Sequence, residues 1–240
     1  MKSTADGGWR IRPMGECCLI IELGLKVDTA TNRLVHAVAD ALQAHPPEGV
    51  IDIVPCFTTV ALHYRPEALE HVSASPYQQL KDAVETILGS GITAQRHTAR
   101  IVEIPVCYGG EFGPDLVEVA AACRLAPDQV VTLHGASESI VFMLGFAPGH
   151  PYAGGLDPEI AVPRRATART SVSEGTVAIA NGQTVIYPMQ SPGGWNLIGR
   201  TPLKLFDPAS TPPCLLQPGD QLRFVAISRQ QFDAIRERQP

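Results

Sequence analysis

The chain has 240 residues, 45% hydrophobic and 18% charged, which is the composition of an ordinary globular protein with room for one large domain or two small ones. Its formal net charge of -5 at pH 7 argues against nucleic acid or an anionic membrane surface as a partner. No apolar signal segment, CxxC pair or apolar run of about 18 residues occurs, so we expect a cytoplasmic protein with reduced cysteines and no metal site.

Residues 1–98 alternate between strand and helix patterns. Apolar residues of one parity in 9–23 predict two strands joined by a turn, and Asp28 or Thr29 can cap the helix that follows. The runs VIDIV and TTVALHY predict two more strands, and a second helix restarts after Ser75. This order predicts a small α+β domain.

The next segment, IPVCYGGEFGPDLVEVAAACRLAPDQVVTLH, predicts a strand, a glycine turn and two short helices. Gly113 can cap the first helix, Pro114 suits its first position, and Asp115 and Glu118 complement its dipole. The second helix is expected to end near His134.

Beyond about residue 134, short runs such as GTVAIA, QTVIYP and QLRFVAI alternate with Pro and Gly turns, which is typical of a β-barrel or sandwich. We therefore predict two domains, 1–98 and 99–240, the second a closed or nearly closed antiparallel barrel.

Positive charge is concentrated in one part of this second region. Arg164, Arg165 and Arg169 lie close together, and the segment 175–206 contains Arg200 but no acidic residue. Arginine forks bind carboxylate or phosphate bidentately, so a folded surface of this kind is suited to an oxyanion. The alternative, that each arginine is simply solvated on a barrel rim, stays open.

Four stretches resemble one known family: YGGEFGPDL, GFAPGHPYAGGLDPEIAVPRRATART, GTVAIANGQTVIYPMQSPGGWNLIGRTPLKLFD and LLQPGDQLRFVAI. They are similar to the B subunit of bacterial ATP-dependent 5-oxoprolinase, also called allophanate hydrolase subunit 1, a family that includes the histidine-kinase inhibitor KipI. The resemblance implies an N-terminal ferredoxin-like α+β domain and a C-terminal cyclophilin-like β-barrel.

The resemblance also implies partners and chemistry. The C subunit of 5-oxoprolinase is a related barrel protein, and the A subunit completes the ATP-dependent hydrolysis of 5-oxo-L-proline to L-glutamate. This chain has no GxxxxGK[ST] loop, so we expect ATP and Mg²⁺ to bind at a nonstandard site shared with a partner subunit. We expect the chain to be inactive alone, and it offers no assignable nucleophile or general base.

Candidate anion-binding residues are Arg164, Arg165 and Arg200. The other polar or aromatic candidates are Tyr108, Glu111, His134, Asp157, Gln183, Tyr187 and Trp195. Glycines whose backbone can approach a ligand are Gly109, Gly110, Gly149, Gly154, Gly155, Gly193 and Gly194. Three of these sets have structural alternatives: Tyr108 to Glu111 as a tight turn, His134 as helix-end packing, and Glu111 and Asp157 as turn anchors.

His150 stands where the family often has phenylalanine, so it is either a packing substitution or a ligand contact. Two other functions also remain open. The chain could be a KipI-like module that binds a sensor histidine kinase, or a carboxyltransferase-related subunit, although it carries no biotin-carrier segment.

Overall fold

The computed structural model describes residues 8–69, 74–92 and 100–238. The chain divides into two compact units, 1–98 and 99–240. The predicted domain boundary lies outside the described residues, and independent folding of the two units stays a prediction. Within the described part of the chain, no helix combines the length and apolar character needed to cross a membrane.

The first unit is a four-stranded sheet with two helices. Its elements are β1 (Arg10–Pro13), β2 (Cys18–Glu22), α1 (Thr29–Ala44), β3 (Val50–Pro55), β4 (Thr59–Tyr64), a 3-10 turn (Pro66–Ala68) and α2 (Pro76–Gly89). The strand order is β1-β2-β4-β3, and each neighbouring pair is antiparallel. The strands and helices predicted for this region are confirmed.

Helix α1 shows why these local predictions succeed. Asp28 adopts an extended backbone, and its carboxylate accepts a hydrogen bond from the Thr31 amide at 2.9 Å. Such an N-cap contributes about 1 kcal/mol. Val35, Val38 and Leu42 recur at helical spacing and are fully buried in the core of this unit. The cap and the apolar stripe are both short-range features, so the sequence specifies them directly.

The second unit contains a closed seven-stranded barrel. Its elements are β5 (Ile101–Tyr108), α3 (Leu116–Cys123), α4 (Pro127–Ala136), β6 (Ser139–Leu144), β7 (Pro151–Gly154), a 3-10 turn (Pro158–Ile160), β8 (Arg169–Val172), β9 (Thr176–Ala180), β10 (Gln183–Ile186), β11 (Ser191–Gly193), β12 (Asn196–Arg200), β13 (Gln221–Ala226) and α5 (Arg229–Glu237). The barrel order is β10-β7-β6-β13-β5-β12-β9, and β8 and β11 form a separate two-stranded sheet.

The prediction of barrel closure is confirmed, but the prediction that the barrel is antiparallel throughout is wrong for one pair. β5 and β13 run parallel, in a register from Ile101 opposite Gln221 to Val106 opposite Ala226. A parallel pair requires a long connection, and residues 109–220, which include the other five barrel strands, separate β5 from β13.

Strand β9 separates two apolar cores. Val177 and Ile179 belong to the large core that includes side chains of β5, β6, β12 and β13 together with α3 and α4. Ala178 and Ala180, on the opposite face, belong to a smaller cluster that includes Val172 of β8. Because strand side chains alternate between faces, the strand is buried on both sides and reads as a continuous apolar run. The smaller cluster is where the candidate site lies.

Helix α3 begins later than predicted. It starts at Leu116, so Gly113 and Pro114 precede the helix. A Cβ at Gly113 would lie 2.1 Å from the Ile198 carbonyl oxygen, so glycine serves close packing against β12. Asp115 makes no capping bond with its side chain, because its carboxylate is engaged by two arginines. The prediction for α4 is confirmed.

Candidate functional site

Four aromatic side chains meet over the smaller apolar cluster. They are His150, Tyr152, Tyr187 and Trp195, and we refer to them as the aromatic cluster. The His150 ring centroid lies 4.9 Å from that of Tyr152 and 5.4 Å from that of Tyr187. Tyr152 and Trp195 are 6.1 Å apart. These separations are those of attractive aromatic pairs.

Backbone hydrogen bonds fix the chain on either side of the cluster. The loop before β7 closes with the His150 amide donating to the Ala147 carbonyl at 3.1 Å. Beyond β10, the Tyr187 amide donates to the Thr176 carbonyl at 3.0 Å. A Cβ at Gly193 would lie 2.1 Å from the Tyr187 hydroxyl oxygen, so only glycine allows β11 to pass over this ring.

His150 is buried as a neutral imidazole. The residue is 2% exposed, and its Nδ1 atom has no hydrogen-bond partner within the described residues. Burial lowers the pKa of His150 to about 4. A buried polar atom without a partner is costly, which makes the imidazole a candidate hydrogen-bonding group for a ligand.

Arg164 places a cation at the edge of the cluster. Its guanidinium carbon lies 5.1 Å from the centre of the Trp195 ring, in a cation–π arrangement. Arg164 is exposed, and the described residues show no ion pair to it. Burial raises the pKa of Tyr187 to about 12, with Arg164 opposing that shift. The site therefore combines a free cation, a neutral imidazole and uncharged phenols.

Arg165 and Arg169 have internal carboxylate partners. Arg165 Nη1 donates to Asp115 at 3.2 Å and to Glu118 at 2.9 Å, and Arg169 Nη2 donates to Asp115 at 2.7 Å. Asp115 is 3% exposed and also accepts a hydrogen bond from the Leu197 amide at 2.7 Å. This buried carboxylate joins α3 and β12 to residues 164–169, which we call the arginine segment.

A groove of about 390 Å³ lies beside α3. It is lined by residues of α3, by the segment 162–167, which includes Arg164 and Arg165, and by Asn196 of β12. Arg164 thus borders both the groove and the aromatic cluster.

Tyr108 and His134 lie elsewhere, in the large core. The Tyr108 hydroxyl and His134 Nδ1 are 2.7 Å apart, and His134 Nε2 lies 3.2 Å from the Thr184 hydroxyl. Burial lowers the pKa of His134 to about 3, so the ring is neutral with both nitrogens hydrogen-bonded. The arrangement is that of a satisfied buried histidine packed 4.3 Å from Phe224.

Arg200 and Glu111 lie together at a third location. Arg200 Nε donates to the Glu174 carbonyl at 2.7 Å, and Arg200 and Arg229 both stack on Phe112, at 5.6 Å and 4.5 Å. Glu111 forms an exposed ion pair with Arg229. These contacts tie α5 to the turn after β5.

The remaining predicted residues make local contacts. Asp157 caps the 3-10 turn by accepting from the Glu159 amide at 2.9 Å, and Gln183 pairs with Gly154 between β10 and β7. A Cβ at Gly154 would lie 2.0 Å from the Phe142 ring. Gly109, Gly110, Gly149 and Gly155 have positive φ, and Gly194 packs near Ala168.

Local sequence patterns do not single out Asp115 and Tyr152 as site residues. The sequence predicts Asp115 as a dipole partner of α3, yet its hydrogen bonds reach residues 50, 54 and 82 positions away. The spacing of Arg165 and Arg169 is the one local signal, since it suits a shared anionic partner without indicating which one.

Comparisons with known proteins agree with this architecture. Residues 9–216 match the family described as carboxyltransferase domain, subdomain C and D. The chain is 42% identical to the 5-oxoprolinase B subunit of Bacillus subtilis, covering 95% of this chain and 97% of that protein. It is 48% identical to the 5-oxoprolinase B subunit of Haemophilus influenzae, covering 90% and 96%. The crystal structure of TTHA0988 is similar at 36% identity and a TM-score of 0.75, covering 91% of this chain and 40% of that longer one.

Proposed function

Because this chain belongs to the family of 5-oxoprolinase B subunits, with a carboxyltransferase domain C and D match over residues 9–216, we propose that it is the B subunit of an ATP-dependent 5-oxoprolinase. In this assembly it helps to open the lactam ring of 5-oxo-L-proline to give L-glutamate. The observation that carries the proposal is the 42% identity to a protein of that name across 97% of its length.

The proposal includes the nature of the two units. The first is a ferredoxin-like domain, supported by the crossover from β2 through α1 to β3 with β4 paired between the two strands. The second is a cyclophilin-like domain, supported by the closed seven-stranded barrel. In this proposal each unit folds as a domain, with the boundary between residues 98 and 99.

The substrate binds against the aromatic cluster in this proposal. Arg164 supplies the positive charge for the substrate carboxylate. The neutral His150 forms a hydrogen bond with the lactam amide through its unpartnered Nδ1. The rings of Tyr187 and Trp195 form apolar walls that exclude water and strengthen both contacts. These side chains bind and orient the substrate.

Nucleotide chemistry is proposed for a site shared with the A and C subunits. When bound, ATP would supply the phosphoryl group that activates the lactam oxygen. The described residues contain no group of three or more His, Cys, Asp or Glu side chains placed to hold a metal ion, so they offer no ready magnesium site by themselves. The proposed assembly is heteromeric, and in this proposal the chain is inactive alone.

Reconstitution tests the proposal. The chain is mixed with the C subunit, with the A subunit, and with both, and ATP-dependent release of L-glutamate from 5-oxo-L-proline is measured after copurification. We expect a stable heteromer with the C subunit, and turnover only when all three components are present. Turnover by this chain alone would refute the shared site. Absence of turnover from the full set, combined with tight binding to a sensor histidine kinase, would favour the inhibitor function.

A further inference from the structure

Arg169 is held on one side and free on the other. Its Nη2 donates to Asp115 at 2.7 Å, while its Nη1 is buried and has no hydrogen-bond partner in the described part of the chain. A guanidinium group carries five N–H donors, and a buried donor that is left unpaired destabilises the folded chain. Because Nη2 is fixed by Asp115, the unpaired Nη1 donor is already oriented before a ligand binds.

Arg169 is connected to Tyr187 through Gly193. Arg169 pairs with Gly193 between β8 and β11, and Gly193 passes directly over the Tyr187 hydroxyl. The charge of Arg169 also opposes the burial-induced rise in the pKa of Tyr187. Gly193 therefore links the two residues, since it pairs with Arg169 across the two-stranded sheet and packs against the Tyr187 hydroxyl.

A second, independent feature points to a ligand at the same place. His150, which contacts the Tyr187 ring at 5.4 Å, is 2% exposed and carries the unpartnered Nδ1 atom. Ser191, two residues before Gly193 on β11, likewise has a buried hydroxyl with no partner among the described residues. Unpaired buried polar atoms on three segments of this region are best explained by a polar group that binds there.

We propose that Arg169 and Tyr187 form an oxyanion-binding subsite in the aromatic cluster, with Asp115 as the positioning residue for Arg169. The ligand class is a small carboxylate or phosphate, which accepts from the free Nη1 donor and the Tyr187 hydroxyl. Arg164 lies over the Trp195 ring at the edge of the same cluster and supplies a second arginine there. The subsite rests on the proposed function only for the identity of the anion, which would then be the carboxylate of 5-oxo-L-proline.

Asp115 fulfils the positioning role through three contacts. Its carboxylate receives Arg165, Arg169 and the Leu197 amide, so the Arg169 guanidinium is fixed relative to β12. Loss of the Asp115 charge leaves two arginines without their buried partner and lets the Arg169 side chain rotate. We therefore expect that removing the Asp115 carboxylate weakens anion binding at Arg169.

Titration calorimetry with three probes tests the subsite, using the full chain alone and assembled with the A and C subunits. The probes are 5-oxo-L-proline, 2-pyrrolidinone, which is the same lactam without the carboxylate, and inorganic phosphate. Arg169→Lys keeps the charge but removes the planar fork, so we expect oxyanion binding to weaken about 10- to 100-fold. Binding of 2-pyrrolidinone is expected to change less than about threefold, because it lacks the anionic group.

Two further measurements complete the design. Arg223→Lys is the matched control, because Arg223 lies on β13 in an exposed ion pair with Glu103, and it should bind every probe like the wild type. The Arg169 side-chain NMR signals of the wild type should shift on addition of the anion, a readout that needs no variant. Asp115→Asn should weaken anion binding and reduce this shift.

The outcomes separate the subsite from the proposed function. Arg169-dependent binding of phosphate without binding of 5-oxo-L-proline would support the subsite and contradict the proposed substrate. Equal affinity of wild type and Arg169→Lys for both anions, or no anion binding and no Arg169 signal shift in either the chain or the assembly, would overturn the subsite.

Discussion

Among individual residues, His150 combines a structural cost with a proposed binding role. The imidazole is held among aromatic rings with a nitrogen that has no partner among the described residues, and a phenylalanine side chain would carry no such unpaired polar atom. A histidine at this position is consistent with a hydrogen bond that forms only when a ligand is bound. His134, by contrast, has partners for both ring nitrogens and needs no ligand to satisfy it.

The pH dependence of stability tests the burial of His150. The pKa is about 4 in the folded chain, below the ordinary value, so the unfolded chain binds the proton first as the pH falls. The contribution to stability is therefore present above about pH 6.5 and is lost toward pH 4, by up to about 1.4 kcal/mol per pH unit. His150→Phe should reduce that slope in urea unfolding between about pH 7 and about pH 5. An unchanged slope would mean that His150 is not buried as a neutral ring.

Among the secondary-structure elements, α5 shows how a polar helix is fixed to the barrel. Ser228 and Gln231 cap it reciprocally, and Phe232 is 1% exposed with its ring 4.5 Å from that of Phe112. Arg229 covers the same Phe112 ring. Phe232 is the buried residue of this helix, and its ring contact fixes α5 to the turn after β5.

Truncation of that contact should be costly. Phe232→Ala is expected to lower the free energy of unfolding by about 3–5 kcal/mol, since it removes a buried ring from a packed site. Arg229→Ala should cost much less than Phe232→Ala, because its ion pairs and its position over Phe112 are exposed. Chemical unfolding of both variants gives the comparison, and equal losses would contradict the assigned role of Phe232.

The elements also differ in how far the sequence predicts them. The Asp28 cap and the turn between β1 and β2 depend on residues close in the chain, so local chemistry predicts them. Helix α5 carries a local start signal in its Ser228–Gln231 capping box, but its single buried residue gives it no apolar stripe. The parallel pairing of β5 and β13 depends on register between distant segments, which no local pattern encodes.

The candidate site follows the same rule. Charge and composition indicate Arg164, Tyr187 and Trp195, and the structure brings them together. The sequence also predicts anion binding by Arg165, yet the structure pairs it with Asp115 and Glu118. Such pairing decides which arginine remains free for a ligand, and it emerges only when β12, α3 and the arginine segment pack together.

At the scale of the whole molecule, the protein provides one part of the proposed catalytic assembly. In that proposal the second unit supplies a binding surface built from Arg164, a neutral His150 and the phenols of the aromatic cluster. No nucleophile is assigned to it, and the proposed partners complete the chemistry. The net charge of -5 coexists with this local cationic surface because the segment 175–206 contains no acidic residue.

Binding of the substrate at the aromatic cluster is tested by the kcat/KM for 5-oxo-L-proline of the three-component assembly carrying Arg164→Lys, measured beside Arg223→Lys. Lysine keeps the charge but cannot reproduce the planar fork or its stacking on Trp195, so we predict a loss of about 1–3 kcal/mol in transition-state binding, or roughly 5- to 150-fold in kcat/KM. The effect should fall mainly on KM, and Arg223→Lys should match the wild type. An Arg164→Lys assembly with wild-type kcat/KM would contradict the placement of the substrate at the aromatic cluster.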